Sequence, residues 1–437
     1  MKKKGNLLKN EGFQAFVASI LCILIGLLLG YIALLIINPD GAWEAITDIL
    51  KNFMTFSKPK LQLKNFGNTL VKTAPLIMCS LSVLFCYKVG LFNIGAAGQY
   101  VIGTFASLYA ALAWGWSWWA CLLFAIVCGA LYGAIVGVLK AYLNVNEVIS
   151  GIMLNWIGLY LTNIALSSVK ESTSPYTLHL DTNAPQAILP SVGLENLFSG
   201  NKSVSIAIPL AIIIAIFIQV LLEKTKFGYE LKATGFNKNA AKYAGMAENR
   251  NIIVTLAIGG ILAAMGGAFL YLTDYEQWET SMSSVPSMGF NGIAAAFLGG
   301  LSPIGSIFSS YFIQHIMSGG AYVDKHYYFS QISDLIVAFI IYLCGFVPFV
   351  KYLMNQLVNR KNDGPNVNAE PAKPAVSEAA APGVAAAPAK PKPEDEPPVL
   401  PPDAPELPEE VPAKDVLPEE EVAPAQAEEE NSEEGEA

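Results

Sequence analysis

The chain has 437 residues, of which 53% are hydrophobic and 14% are charged, with a formal net charge of −9. This apolar share is above the range of ordinary soluble domains, so the composition excludes a soluble globular protein as the main body of the chain. The acidic balance is local, because residues 362–437 hold 20 acidic residues against four lysines and leave a net charge of +7 on the rest.

This distribution divides the chain into three regions. Residues 1–12 form a basic leader, and residues 13–361 contain the apolar runs of a transmembrane domain. Residues 362–437 hold 16 of the 26 prolines and no aromatic residue. Such a segment cannot bury enough apolar surface to offset the entropy of ordering, so it is predicted to be a disordered acidic tail.

Long apolar runs follow one another along the transmembrane domain, each close to the roughly 20 residues that a helix needs to cross a bilayer. The eight long runs are 13–37, 69–87, 94–113, 117–139, 147–169, 204–222, 252–272 and 332–350. Two shorter runs, 287–300 and 304–318, are joined only by "LSP" and predict a pair of short helices. The predicted fold is an all-α polytopic membrane protein with about ten transmembrane helices. Eight crossings plus a re-entrant pair of short helices is the alternative count.

Lysine and arginine are distributed unequally between the two sides of the predicted bundle. With the N-terminus inside, the inner segments hold 15 of these residues and the outer segments hold seven. Because cytoplasmic segments carry the excess of Lys and Arg, this bias predicts that both termini are cytoplasmic.

Small residues recur at helical spacing on the fourth predicted helix. Gly129, Gly133 and Gly137 repeat every four residues and therefore share one face. In lipid, such a face allows two helix backbones to approach closely, so it predicts tight helix packing.

The stretch "YKVGLFNIGAAGQY" (87–100) places polar residues between two apolar runs. Gly95 and Gln99 share one helix face, and Asn93 lies close before them. Polar side chains at membrane depth either bond a neighbouring helix or line a solute pathway. Both interpretations stay open for this stretch and for the other intramembrane amides, Asn155, Asn163 and Asn291.

The sequence contains no motif for covalent chemistry. GxxxxGK[ST], GxGxxG, HExxH and GxSxG are all missing, and His179, His315 and His326 are scattered. The predicted spans also lack the series of acidic and histidine residues that is typical of a proton-driven pump. We therefore expect a protein that is not an enzyme and that binds no metal or other cofactor directly.

The inner loop 223–251 contains a predicted short helix. Asn237 is a favourable N-cap residue and Gly245 is a favourable stop, with Ala240 and Ala241 side by side between them. A capped helix with a face of small residues favours a docking surface over a solvated loop, although an ordinary amphipathic loop helix fits the same pattern.

Four motifs resemble one family in matching order across residues 67–350. "GYELKATGFNKNAAKYAGM" (228–246) resembles the coupling segment of bacterial ABC-importer permeases of the ribose/branched-chain amino acid class. "GLFNIGAAGQ" (90–99), "NEVISGIMLNWIGLYLTN" (146–163) and "GFNGIAAAFLGGLSPIG" (289–305) resemble the nucleoside and simple-sugar branch of that class. Members of that branch often carry an arginine at the position of Lys88 and an acidic residue at that of Ala97.

The resemblance implies a multi-pass permease subunit in the bacterial cytoplasmic membrane. Its implied partners are a second permease subunit, a cytoplasmic ABC ATPase that uses the ATP, and an extracytoplasmic substrate-binding lipoprotein, with no nucleic acid. The implied solute path includes Phe92, Asn93, Gln99, Asn155, Trp156, Asn163 and Asn291. The implied ATPase coupling surface includes Glu230, Gly235, Asn237, Ala240, Ala241 and Gly245.

The expected solute is a nucleoside, with a simple sugar of the ribose type as the alternative. Two readings from other classes stay open. One is an ATP-independent secondary transporter or channel, and the other is a membrane scaffold whose acidic tail is the working part.

Overall fold

The computed structural model describes residues 11–329, 331–346, 349–350, 352–353 and 356. Most of the basic leader and the whole acidic tail predicted over residues 362–437 lie outside these residues. The described part is built from α-helices, which confirms the all-α fold class. The helices are α1 Glu11–Ile37, α2 Ala42–Lys51, α3 Pro59–Lys88, α4 Ala96–Leu112, α5 Trp118–Leu143, α6 Glu147–Leu166, α7 Leu180–Asn183, α8 Leu194–Leu197, α9 Ala207–Lys224, α10 Lys226–Phe236, α11 Lys238–Tyr243, α12 Glu248–Tyr271, α13 Ser287–Leu298, α14 Pro303–Gly319 and α15 Ile332–Cys344.

Six of the described helices are long and apolar enough to cross a membrane, namely α1, α3, α5, α6, α9 and α12. The helices α4 and α14 each have 17 residues, while α13 and α15 have 12 and 13. The chain is therefore a multi-pass membrane protein, and the count of about ten crossings stays a prediction.

Local sequence explains where several of these helices begin. Pro59 starts α3 at the position where proline is best tolerated, so this helix begins ten residues before the predicted apolar run. The Asn146 side chain caps α6 by accepting a hydrogen bond from the Val148 backbone N–H at 2.8 Å. Ser302 caps α14 in front of Pro303.

The helix α12 lies at the centre of the bundle and packs against α3, α4 and α5. The three glycines of the predicted stripe on α5 all face it. A Cβ atom at Gly133 would lie 2.2 Å from the Leu256 carbonyl oxygen, and one at Gly129 would lie 2.6 Å from that of Gly260. A Cβ atom at Gly137 would lie 2.7 Å from the Cα atom of Ile253. Larger side chains would separate the two backbones, so the stripe sets the distance between α5 and α12.

A second apolar cluster joins α1 and α2 with α13, α14 and α15. The helix α1 approaches α15 closely, since a Cβ atom at Gly26 would lie 2.6 Å from Ile340 Cγ1. Tyr328 fixes the end of α1 by donating its hydroxyl to the carbonyl oxygens of Leu34 and Asn38. These contacts leave α3 between the two clusters, next to both α12 and the α13–α14 pair.

Candidate functional site

The helices α3 and α4 are separated by a short non-helical break, residues 89–95. Gly90 at its start has φ +77°, a left-handed conformation that favours glycine because it has no Cβ atom. The break contains the "GLFNIG" part of the stretch identified in the sequence. It brings irregular backbone and polar side chains together inside the helix bundle, an arrangement that a membrane protein tolerates when protein surrounds it or when it lines a cavity.

A buried polar network joins this break to α4, α3 and α12. Asn93 Nδ2 donates to Gln99 Oε1 at 2.8 Å and to the Ser82 hydroxyl at 2.9 Å. The Ser82 hydroxyl in turn donates to the Gly259 carbonyl oxygen on α12 at 2.7 Å. The network therefore connects Asn93 and Gln99, which the sequence placed together, with two partners that it did not identify.

Asn155 attaches α6 to the same region. Its Oδ1 accepts a hydrogen bond from the Gly98 backbone N–H at 2.7 Å, and its Nδ2 donates to the Ile94 carbonyl oxygen at 3.1 Å. Close backbone contact supports this attachment, because a Cβ atom at Gly151 would lie 2.9 Å from the Gly95 nitrogen. Asn93, Gln99 and Asn155 are thus brought together around the break, all three buried.

The aromatic residues predicted for the solute path are placed apart from this network. Phe92 packs with Tyr87 and Phe297, with ring centroids 6.4 Å away in both cases. Trp156 stacks on Tyr160 at 6.2 Å on the exposed face of α6, although it follows Asn155 in sequence.

The two remaining asparagines are bonded elsewhere. Asn163 Oδ1 accepts the indole N–H of Trp278 at 2.9 Å, and its Nδ2 donates to the Met282 carbonyl oxygen at 2.8 Å. Asn163 therefore holds the segment after α12 against the end of α6. Asn291 Nδ2 lies 3.3 Å from Met317 Sδ, between α13 and α14. A direct role of any of these residues in a solute path stays a prediction.

The inner loop folds as α10 followed by α11. Asn237 Oδ1 accepts the Ala240 backbone N–H at 3.0 Å, and Gly245 follows α11 with φ +77°. Ala240 is exposed while Ala241 is buried, and Glu230 lies 3.7 Å from Lys226 on α10. The helix and cap that the sequence predicts are therefore present.

Two aromatic side chains beside α11 were missed by the sequence reasoning. Phe236 is 93% exposed and Tyr243 is 94% exposed, one at each end of this short helix. Exposed aromatic residues on a capped helix are typical of a protein docking surface. Their signal in the sequence was weak because single aromatics in a loop are common.

A glycine contact joins the inner loop to the α3–α4 break. A Cβ atom at Gly90 would lie 2.8 Å from the Gly235 carbonyl oxygen, and one at Gly235 would lie 2.0 Å from that of Val89. The end of α10 therefore touches the backbone of the break directly. This contact places the predicted coupling loop against the segment that carries Asn93.

Charged residues at the opposite end of α12 were also missed. Lys72, which lies within α3, reaches Glu276 with 2.6 Å between Nζ and Oε1. Hydrogen bonds from Ser174 and Gln277 lower the pKa of Glu171, so this carboxylate stays charged. Lys72 and Glu276, like Glu171 and Gln277, lie more than 90 residues apart in the sequence, so residue spacing gave no indication of these contacts. Ser174 alone is close in sequence to its partner, Glu171.

The sequence matches one family of known proteins. Residues 65–344 match the family described as branched-chain amino acid transport system / permease component, a segment that runs from the first turns of α3 to the end of α15. No solved structure gives a significant match.

Curated relatives match over most of their length. The chain is 30% identical to the nucleoside ABC transporter permease protein NupB of Lactococcus lactis, over 79% of this chain and 94% of the relative. It is 30% identical to the guanosine ABC transporter permease protein NupP of Bacillus subtilis, over 67% of this chain and 84% of the relative. It is 28% identical to the glucose ABC transporter permease protein TsgB13 of Haloferax volcanii, over 71% of this chain and 81% of the relative. The chain belongs to the branched-chain amino acid transport system / permease component family.

Proposed function

We propose that this chain is the membrane-spanning permease subunit of an ATP-driven importer for nucleosides. The observation that carries the proposal is the 30% identity to two permeases named for nucleoside or guanosine transport, over most of the length of each. ATP is hydrolysed in a separate ABC subunit, and this chain supplies the solute path. The protein itself is therefore not an enzyme and binds no cofactor directly.

The proposed solute path passes the α3–α4 break. Asn93, Gln99 and Asn155 hold this irregular segment in a defined conformation, which supports a role in shaping the path. Phe92 lies within the break and packs against Tyr87 and Phe297, while Asn291 lies between α13 and α14. Amide groups and aromatic rings suit the base and hydroxyl groups of a nucleoside, since they offer hydrogen bonds and stacking.

The proposed ATPase docking surface is α11 with its flanking aromatics, Phe236 and Tyr243. Movement of a docked ATPase would reach the break through the backbone contact between Gly235 and Gly90. Both termini are then cytoplasmic, as the bias of Lys and Arg supports.

The proposed partners follow from the family. Lactococcus lactis and Bacillus subtilis each contribute two permeases to the matches, NupB with NupC and NupP with NupQ, which supports pairing with a second permease. An extracytoplasmic substrate-binding lipoprotein delivers the solute, and the assembly resides in the bacterial cytoplasmic membrane.

A simple-sugar importer is the second candidate, favoured by the 28% identity to the glucose permease of Haloferax volcanii. Uptake of radiolabelled nucleosides and pentoses by cells with and without this gene separates the two. We expect loss of nucleoside uptake on deletion, with unlabelled nucleosides but not ribose competing in the intact cells. Loss of pentose uptake with nucleoside uptake intact would assign the chain to the sugar branch instead.

A further inference from the structure

A cavity of about 340 Å³ lies beside the C-terminal end of α12, among residues that the proposed solute path does not include. Its volume is within the range of small-molecule sites, about 300–1,000 Å³. The lining combines aromatic rings, carboxylates, an amide and a thioether, and consists of Tyr176, Tyr271, Glu276, Gln277, Glu279 and Met282. We refer to this cavity as the outer cavity.

The outer cavity lies at the opposite end of α12 from the proposed ATPase docking surface. Near the start of α12, Asn251 Nδ2 donates to the Thr234 hydroxyl of α10, which leads into α11. Tyr271 is the last residue of α12, and the 24 residues of this helix span about 36 Å at 1.5 Å per residue. This length is close to the thickness of the hydrocarbon core, so the cavity lies on the side from which an importer receives its solute.

Two paired segments build one wall of the outer cavity. The Thr177 backbone N–H donates to the Trp278 carbonyl oxygen at 2.9 Å. Next to this bond, Tyr176 and Glu279 pair in an antiparallel bridge. Side chains that oppose each other in such a bridge lie on the same face, so the phenol ring and the carboxylate are neighbours in the wall.

Side chains alternate along the second of these segments. Gln277 and Glu279 line the cavity, whereas Trp278 between them is fully buried and donates its indole N–H to Asn163 at 2.9 Å. Asn163 also donates to the Met282 carbonyl oxygen at 2.8 Å. This asparagine therefore holds the wall of the cavity from behind.

The polar groups of this wall are hydrogen-bond acceptors. Gln277 Nε2 donates to Glu171 Oε1 at 3.2 Å and to the Thr177 carbonyl oxygen at 2.6 Å, which leaves Oε1 available as an acceptor. Glu279 Oε1 accepts from the Ser281 hydroxyl at 2.8 Å. A site rich in acceptors selects a ligand that donates, and ribose hydroxyls are donors that carboxylates bind.

The two carboxylates of the cavity differ in their partners. Glu276 Oε1 lies 2.6 Å from Lys72 Nζ, which is also 5.4 Å from the centroid of the Tyr275 ring. Among the described residues, Glu279 has no such cationic partner. Glu279 is therefore the carboxylate that a solute can engage without breaking an ion pair.

The inner side of the outer cavity adjoins the network at the α3–α4 break. Tyr271 is 5% exposed, and its ring centroid lies 6.5 Å from that of Tyr100 on α4. Tyr100 directly follows Gln99, which accepts the hydrogen bond from Asn93 of the break. This pair of tyrosine rings links the cavity to the network, so the cavity is in line with the proposed solute path.

We propose that the outer cavity is an entry site that binds a ribose before the solute reaches the break. The Glu279 carboxylate and Gln277 Oε1 accept hydrogen bonds from the 2′- and 3′-hydroxyls, and Tyr176 and Tyr271 contact an attached base. Adjacent hydroxyls are common to a ribonucleoside and free ribose. That the solute is a nucleoside rests on the proposed function.

Equilibrium binding to the assembled complex tests the entry site. The chain, its second permease and the ATPase are placed in lipid nanodiscs without the lipoprotein. They are titrated with tritiated adenosine and uridine, with the 2′-deoxy counterpart of each, and with ribose. We expect saturable binding of the ribonucleosides and about tenfold weaker binding of the 2′-deoxy counterparts, the equivalent of one hydrogen bond to a charged group.

Glu279→Gln is the variant that tests the carboxylate. We expect it to weaken ribonucleoside binding about tenfold and to lose most of the discrimination against 2′-deoxynucleosides, because both changes remove the same hydrogen bond. This ratio of affinities does not depend on the folded fraction of the variant. Glu195→Gln is the matched control, since it makes the same charge change at a residue that lines a different cavity near α8.

Tyr176→Leu tests the contact with the base. We expect it to weaken ribonucleoside binding about fivefold, because an aromatic contact is lost, and to leave ribose binding unchanged. Tyr142→Leu is the control, because Tyr142 is 67% exposed on α5 and does not line the cavity. An equal effect of Tyr176→Leu on ribose and ribonucleosides would contradict the contact with the base.

The outcomes separate this inference from the proposed function. Complexes that import nucleosides with the lipoprotein, but bind none without it or keep full discrimination in Glu279→Gln, would overturn the entry site alone. Reduced import by Glu279→Gln with unchanged nucleoside binding would also overturn it and would assign this carboxylate to lipoprotein docking. Binding of ribose that depends on Glu279, without binding of either ribonucleoside, would keep the site and remove the nucleoside assignment.

Discussion

Asn155 is the residue on which the geometry of the α3–α4 break depends most directly. Both ends of its side-chain amide bond backbone groups of the segment that leads into α4, at Gly98 and Ile94. Because backbone groups buried in a membrane bundle have no water as an alternative partner, the loss of this amide leaves two of them unsatisfied.

Asn155→Ala is therefore expected to destabilise the protein by about 2 kcal/mol, since each unsatisfied buried group costs roughly 1–3 kcal/mol. The measurement is the thermal midpoint of the detergent-solubilised complex, in which size-exclusion chromatography reports the fraction that stays intact after heating. Asn196→Ala is the matched control, because Asn196 is exposed in α8. A midpoint for Asn155→Ala equal to that of the control would contradict the anchoring role.

At this scale the sequence predicted which side chains are unusual but not what they bond. Asn93 and Gln99 were expected to lie together, because they are near in sequence and lead into one helix. Asn155 and Asn163 looked equivalent, yet one bonds the break and the other bonds Trp278. Their partners come from distant parts of the chain, and a pattern within one helix carries no information about them.

At the scale of elements, the contact between α10 and the α3–α4 break joins the inner loop to the segment that carries Asn93. It depends on two glycines whose backbones touch, Gly90 and Gly235. A side chain at either position would push the end of α10 away from the break.

Gly90→Ala is expected to destabilise the protein by about 3 kcal/mol, from left-handed strain and overpacking together, and to reduce import more than assembly. Import rates and the amount of co-purified ATPase are the two measurements. Gly200→Ala is the matched control, because Gly200 has φ +78° and nothing within 4 Å of the added Cβ atom. Equal import by the two variants would show that strain alone explains the effect.

Element boundaries were predicted best where apolar character alone decides them. The runs 117–139 and 252–272 match α5 and α12 to within a few residues at each end. The first ten residues of α3 and the whole of α2 and α10 were not expected, because they are amphipathic or polar. Their helical structure depends on packing against the bundle, and the mean hydropathy of a stretch of sequence does not detect such packing.

At the scale of the whole molecule, composition separates a basic apolar body from an acidic tail. The basic body contains the multi-pass membrane domain, and residues 65–344 within this body match the family. The tail after residue 362 lies outside the described residues, so its disorder and any role stay predictions. The orientation of the bundle rests on the bias of Lys and Arg and also stays a prediction.

The central claim is that ATP hydrolysis by a partner subunit drives nucleoside import through this chain. The most direct test is accumulation of radiolabelled nucleoside in proteoliposomes that contain this chain with its second permease and ATPase, supplied with the binding lipoprotein. We expect accumulation that requires ATP on the ATPase side, that continues without an ion gradient and that unlabelled nucleosides compete. Accumulation driven by an ion gradient in the absence of ATP would contradict the account and indicate a secondary transporter.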